Sequence, residues 1–415
     1  MEVYVVLLAA LLFAVNFINL DFSNNVDVEP GSPVILVPGG GGNQLEAKLT
    51  GKPTVPHRFC FDKTNYFYSL WLNPISLLPI SIYCMTDNMR LVFNETTGRE
   101  EDAPGVNVSI PHIGPTETVE WLDKARLFQP VFATIVDNFV KWGYTKGKNV
   151  IGAPFDWRRP PHELHNYYAS IKAKIEEVYV DNGNKKVVIV GHSMGNPVML
   201  YFYHYIVSQE WKDKYIKSHV SLNGAWGGSM EMVKLFISGY NLKKYRFFLS
   251  PFVLRPMQRT FTACAFMLPS AAVWNSSEVL VSTAWKNYSL SNLEELFTDT
   301  NYKSGWAQYK RSLYTKIVEL EAPGVELHCI YGAGIPTPER FIWDEGYFPD
   351  YQPTEILGDG DGTVNLRSLE ACKQWNPNNN LGKDVSVHRF ENVDHLDLLS
   401  RSETLALLHD IVYKN

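Results

Sequence analysis

The sequence predicts an α/β fold, a mostly parallel sheet covered by helices on both faces, and three observations carry that expectation. Short apolar runs alternate with helical segments along the whole chain. Gly191-His192-Ser193-Met194-Gly195 stands between a β-branched run, Lys185 to Val190, and a segment from Asn196 to Val207 that reads as a helix. A glycine–aspartate loop, Gly358 to Val364, and then His395 follow downstream.

The elements come in this order. Val34–Val37 reads as a buried strand, and Gly39-Gly40-Gly41-Gly42 follows it as a loop. Tyr168–Tyr179 reads as a helix, because Tyr168, Ile171, Ile175 and Val178 recur at three and four residues. After the strand, turn and helix around Ser193 come strands at Ser218–Leu222, Val325–Tyr331 and Val385–Phe390. The last element is a helix over Ser402–Val412, introduced by a capping-box pattern at Ser400 and Glu403. Two stretches do not fit this alternation and read as insertions in a core spanning 30–415, at about 59–107 and 225–301.

G-x-S-x-G between a strand and a helix is a nucleophile elbow. The glycines permit a turn too tight for a Cβ and leave the serine Oγ exposed at the end of the sheet. Such a serine needs an acid and then a base, in that chain order. Asp361 is the favoured acid, since the chain re-enters the core at Val364; Asp359 is the alternative. The glycine–aspartate loop lacks the spaced carboxylates and glutamate of a calcium-binding EF-hand. His395 lies in a loop beyond the last strand and is preferred as base over His388, a strand side chain, and His409, inside the last helix. The N–H groups of Met194 and Gly40 are the candidate oxyanion donors. No Gly-Lys-Ser/Thr follows the glycine run, which argues against a phosphate cradle. Together these features predict an α/β-hydrolase that cleaves acyl bonds through Ser193, without metal or cofactor.

Composition narrows the partners. With 415 residues the chain holds a large core plus insertions, and a formal net charge of −6 argues against nucleic acid. Eleven tryptophans within 13% aromatic residues suit a protein that handles lipid or sugar. The apolar run from Val3 to Val15 reads as the core of a cleaved signal peptide over about 1–20 in preference to a signal anchor, although Glu2 replaces the usual basic residue. Four N-x-S/T sites, at Asn94, Asn107, Asn275 and Asn287, fit passage through the secretory pathway. Of five cysteines, Cys60 and Cys84 are close enough to staple a loop, and Cys329 and Cys372 are placed where they can meet. Cys264 is then left over and reads as buried and inert.

Inside the Cys60–Cys84 bracket, Trp71, Leu72, Leu77, Leu78, Ile80 and Ile82 form an apolar stretch broken by two prolines. Prolines exclude a regular central strand, and an apolar surface loop on a secreted esterase predicts contact with a phospholipid membrane or lipoprotein surface. In the second insertion, Phe236, Tyr240, Tyr245, Phe247, Phe248, Phe252 and Leu254 stand among basic residues. They read as a mobile lid or, on nearly equal grounds, a structural cap.

From Pro33 to the C-terminal helix the chain resembles the lecithin–cholesterol acyltransferase family. The likeness rests on Ile35–Gly39, Gly42–Leu49, Gly152–Arg159, Gly191–Asn196, Trp211–Ile216, Trp226–Gly228, Gly334–Pro338 and Gly358–Leu366. It implies a serine phospholipase A and transacylase that passes a fatty acyl group to water or to a lipid alcohol such as ceramide. A secreted sterol acyltransferase is the alternative, and a catalytically silent lipid-binding relative is the alternative of another class. The resemblance implies the same triad and donors, disulfides Cys60–Cys84 and Cys329–Cys372, membrane contact through Trp71–Tyr83, a lid after Trp226, and a lysosomal or extracellular location. One departure matters. The lysosomal branch carries an aspartate where this chain has Gly40, so the resemblance implies the backbone donor but not an acidic pH preference.

Overall fold

A computed structural model describes residues 29–94, 99–241, 249–313 and 319–414. Six strands make the central sheet: β1 (Val34–Val37), β2 (Val150–Gly152), β3 (Val187–His192), β4 (Ile216–Leu222), β5 (Leu327–Ala333) and β6 (Val385–Glu391). Their order is β6-β5-β4-β3-β1-β2, and every neighbouring pair is parallel. Parallel strands require crossovers, which place helices on the faces and bury both. All residues of β1 and β3 are accordingly buried. On the outer strand β6 no residue is fully buried, as a position at the sheet's edge allows.

Side-chain alternation sorts the core into two layers. Ile35, Val37 and Ile189 point to the face covered by α2 (His165–Asp181) and α3 (Gly195–Tyr205). Val34, Leu36, Val188 and Val190 point to the opposite face, covered by α1 (Ala133–Lys141) and α4 (Ser402–Tyr413). The buried stripe of α2 is Tyr168, Ile171, Ile175 and Val178, as its spacing predicts. The expected capping box on α4 is not formed. Ser400 closes a preceding 3-10 turn, where its hydroxyl donates to Asp397 O, and Glu403 pairs instead with Arg401.

Both insertions are larger than the sequence suggests, because each borrows strands from outside its bracket. The first is built on a three-stranded sheet, Tyr68–Trp71, Leu45–Leu49 and Val106–Ser109, whose middle strand precedes residue 59. A buried Arg158 ties it to the core, bonding Asp156 twice at 2.8 Å and Asp102 at 2.8 Å. The second carries a four-stranded sheet whose strands Thr337–Ile342 and Thr354–Gly358 follow β5. It has its own apolar core, in which Phe236 packs against Phe297 and Tyr302.

Disulfides join Cys60 to Cys84 and Cys329 to Cys372. Asn107, Asn275 and Asn287 are exposed, whereas Asn94 is half-buried and its amide donates to Glu101. The expected signal peptide lies outside the described residues, as do Tyr245, Phe247 and Phe248 of the second insertion. Among the described residues no helix is long and apolar enough to cross a membrane.

Candidate active site

The turn from β3 into α3 is held in a shape that only its own residues permit. Ser193 has φ of 51°, a left-handed conformation that costs energy for a residue with a Cβ. Its N–H donates to Leu222 O at 3.0 Å, which fixes the turn to the end of β4. A Cβ on Gly195 would stand 2.5 Å from Pro38 O, and one on Gly191 would stand 2.5 Å from Asn196 Oδ1. The glycines are therefore there for close approach. Beneath the turn, Asn196 donates to Ser193 O at 3.0 Å and meets His219 Nε2 at 2.9 Å, while Tyr203 meets His219 Nδ1 at 3.1 Å. Burial pushes the His219 pKa down to about 3, so the ring is neutral. This network was not read from the sequence, where only the position of Asn196 directly after the elbow hints at it.

Asp361 is fully buried, with both carboxylate oxygens engaged. Oδ1 accepts the N–H groups of Thr363 at 3.0 Å and Val364 at 2.7 Å, and Oδ2 lies 2.6 Å from His395 Nδ1. The His395 N–H returns a bond to Asp361 O at 2.9 Å. Burial alone would lower the His395 pKa, but the Asp361 charge and hydrogen bond, helped by Asp394, leave it above the ordinary histidine value. His192 packs on the His395 ring at 4.7 Å, and burial together with His395 hold its pKa well below the ordinary value. It adds no charge to the site. Asn223, another residue at positive φ, donates to His395 O at 3.0 Å and accepts from Gly332 N. It too was missed by sequence reading.

The rival candidates lie elsewhere. Asp359 accepts the Gly334 N–H at 2.7 Å and faces Arg389, so it braces the loop. His388 sits half-buried on β6, and His409 packs on Trp142 at 5.0 Å.

Ser193 and His395 open onto a cavity of about 380 Å³, also lined by Gly40 and Met194. The rest of the wall is mostly apolar and comes from both insertions, including Leu77, Met85, Met89, Leu235, Leu249, Leu254, Met257 and Phe261. Six of the nine methionines face it. Cys264 also lines the cavity; burial pushes its thiol up to about 12, so it stays protonated.

The expected surface stretch divides. Leu78 and Ile80 are about half exposed, at 56% and 50%, and Ile75, not singled out before, reaches 68%. Leu72 and Ile82 are buried, and Trp71 and Leu77 are half-buried against the core, so these four are corrected from surface to interior roles. The reason is local structure: the chain forms a short strand to Trp71, a 3-10 turn from Pro74 to Leu77, and a helix from Ser81, and each turns one side inward. Trp71 has a particular contact. Its indole N–H donates to Gly41 O at 2.9 Å and so holds the Gly39–Gly42 loop.

A parallel six-stranded sheet with a serine elbow and a buried Asp361–His395 pair defines the class: the chain is an α/β-hydrolase. The solved structure of the Tle4–Tli4 complex shares this fold, with a TM-score of 0.52, 12% identity, and coverage of 92% of this chain and 98% of that one. Residues 66–402 match the lecithin:cholesterol acyltransferase family, and the chain belongs to that family. It is 41% identical to the lysosomal phospholipase A and acyltransferase of Rattus norvegicus over 92% of this chain and 90% of that protein. The corresponding human protein is 40% identical over the same shares. The phosphatidylcholine-sterol acyltransferase of Gallus gallus is 39% identical over 90% of this chain and 89% of that protein.

Proposed function

We propose that this chain is a serine phospholipase A and transacylase, with Ser193 as nucleophile, His395 as base and Asp361 as the orienting acid. The observation that carries the reading is that His395, held by the buried Asp361 at 2.6 Å, opens with Ser193 onto one mostly apolar cavity. Ser193 Oγ attacks an acyl ester while His395 Nε2 takes its proton, and Asp361 stabilises the imidazolium that forms. The N–H groups of Gly40 and Met194 receive the negative oxygen. His395 then protonates the departing lysophospholipid, leaving an acyl-serine. Water or a lipid alcohol next gives its proton to His395 and takes the acyl group, and His395 passes that proton to the departing Ser193 Oγ, restoring the free serine. Flexible, polarizable methionines in the wall suit acyl chains of varied shape.

The exposed Ile75, Leu78 and Ile80 supply the contact with a membrane or lipoprotein surface, and the segment after Trp226 covers the cavity as cap and lid. Asn94, Asn107, Asn275 and Asn287 are the glycosylation sites, and the secretory pathway delivers the protein to the lysosome or the exterior. Two experiments test the reading. Labelling by a fluorophosphonate, absent in Ser193→Ala, separates an enzyme from a silent lipid-binding relative. Liposomes of phosphatidylcholine with ceramide or cholesterol then identify the acceptor. Failure to release lysophospholipid from any mixture would refute the phospholipase assignment, and cholesteryl ester as the main product would favour the sterol acyltransferase.

A further inference from the structure

One carboxylate faces the cavity with no lysine or arginine beside it among the described lining residues. Among those same residues Asp394 is the sole acidic side chain. Asp394 is half-buried; its Oδ1 accepts the Leu396 N–H at 3.0 Å. Its Oδ2 lies beside Gly362, another lining residue, where a Cβ would stand 3.4 Å away. No donor among the described residues bonds that oxygen.

The direction of the leaving group decides what meets it. His395 must give its proton to the oxygen that departs, so the glycerol and its headgroup leave on the His395 side of the scissile carbon. Asp394 adjoins His395 in the chain, and Gly362 and Thr363 line the cavity with it. Among the described residues of this wall a headgroup phosphate finds no lysine or arginine. An ammonium nitrogen a few bonds further along finds a carboxylate in surroundings of reduced dielectric.

We propose that Asp394 is a specificity-determining residue, selecting phospholipids whose headgroup carries an ammonium group and disfavouring those with a net anionic headgroup. The proposal rests on the phospholipase reading and sharpens it. It uses attraction for one class and repulsion for the other.

The test is an internal competition. Phosphatidylcholine and phosphatidylglycerol with identical acyl chains are diluted equally into micelles of a neutral detergent, so both share one surface. The ratio of the two lysolipid products does not depend on the amount of folded enzyme. Wild type is expected to favour the choline lipid on the order of tenfold, Asp394→Asn to bring the ratio near one, and Asp394→Lys to reverse it. Should the variants not fold, the wild-type ratio is measured against salt, where it is expected to shrink as charges are screened. Equal use of both lipids by wild type, an unchanged ratio in Asp394→Asn, or a salt-independent preference overturns the proposal. Wild type that cleaves a soluble ester but neither lipid overturns the phospholipase reading instead.

Discussion

The floor of the cavity and its walls are built on opposite principles. On the floor, Asp361 uses both oxygens, His395 is bonded through its ring, its N–H and its carbonyl, and Ser193 is held at positive φ by the end of β4. In the walls, Met85, Met89, Met232, Met257 and Met267 come from the two insertions and contribute only apolar contact. Backbone-anchored hydrogen bonds fix direction, which the reacting atoms need. Unbranched apolar side chains fix only volume, which lets the wall adapt to a chain. The chemistry is rigid where the recognition is soft.

The sharpest way to break this contrast is to remove the proposed nucleophile. Ser193→Ala is expected to lower turnover of any ester a thousandfold or more with the fold intact, since only residual stabilisation by the oxyanion donors remains. A folded variant with wild-type turnover would mean that the floor has been misread.

The exposed part of the first insertion comes next. Replacing Leu78 and Ile80 by serine is expected to weaken liposome binding, each side chain contributing up to about 1.5–3 kcal/mol when buried in lipid. Hydrolysis of a soluble short-chain ester should stay close to wild type. Equal losses in sedimentation with liposomes and in soluble-ester assays would place these residues in the floor's service.

Trp71 belongs to the first insertion but serves the floor. Trp71→Phe keeps the ring and loses the N–H donated to Gly41 O. Loosening the loop that carries the proposed Gly40 donor is expected to reduce kcat on the soluble ester by up to about tenfold, with KM little changed. If the loss appears only on liposomes, the tryptophan acts at the surface after all.

The smallest effect is a shift of pH. In the proposed mechanism His395 must be neutral to act as base, and its pKa is raised, so activity is expected to rise as pH climbs through that raised value. A carboxylate at position 40 would oppose the oxyanion until protonated, so Gly40→Asp is expected to move the optimum down by about one unit. The site admits it: a Cβ on Gly40 meets only the Met194 side chain, at 3.7 Å, and the residue is not at positive φ. Superimposable pH–rate profiles on the soluble ester would remove the oxyanion explanation.

Much of the floor was legible in the sequence, and the walls far less so. β1 appears over the residues expected, and α2 buries the expected four side chains, because periodicity over a few turns reports a buried face directly. The three-residue β2 and the strands Leu45–Leu49, Thr337–Ile342 and Thr354–Gly358 escaped notice. Such short elements carry little pattern of their own and are specified by their partners across the sheet. The capping box shows the converse: a correct local pattern lost to a preceding turn that used the same serine.

The sequence by itself offered Ser193, Asp361 and His395 as candidates in that order, with Asp359 and His388 as alternatives, and the turn chemistry around each, since a few neighbouring residues decide whether a tight turn or a loop forms. Tertiary structure decided which side of the Trp71–Ile82 stretch faces inward, that Trp71 holds the glycine loop, and that Asp394 is the cavity's sole acidic side chain among the described residues. Those outcomes depend on packing against elements far away in the chain, so no local pattern encodes them.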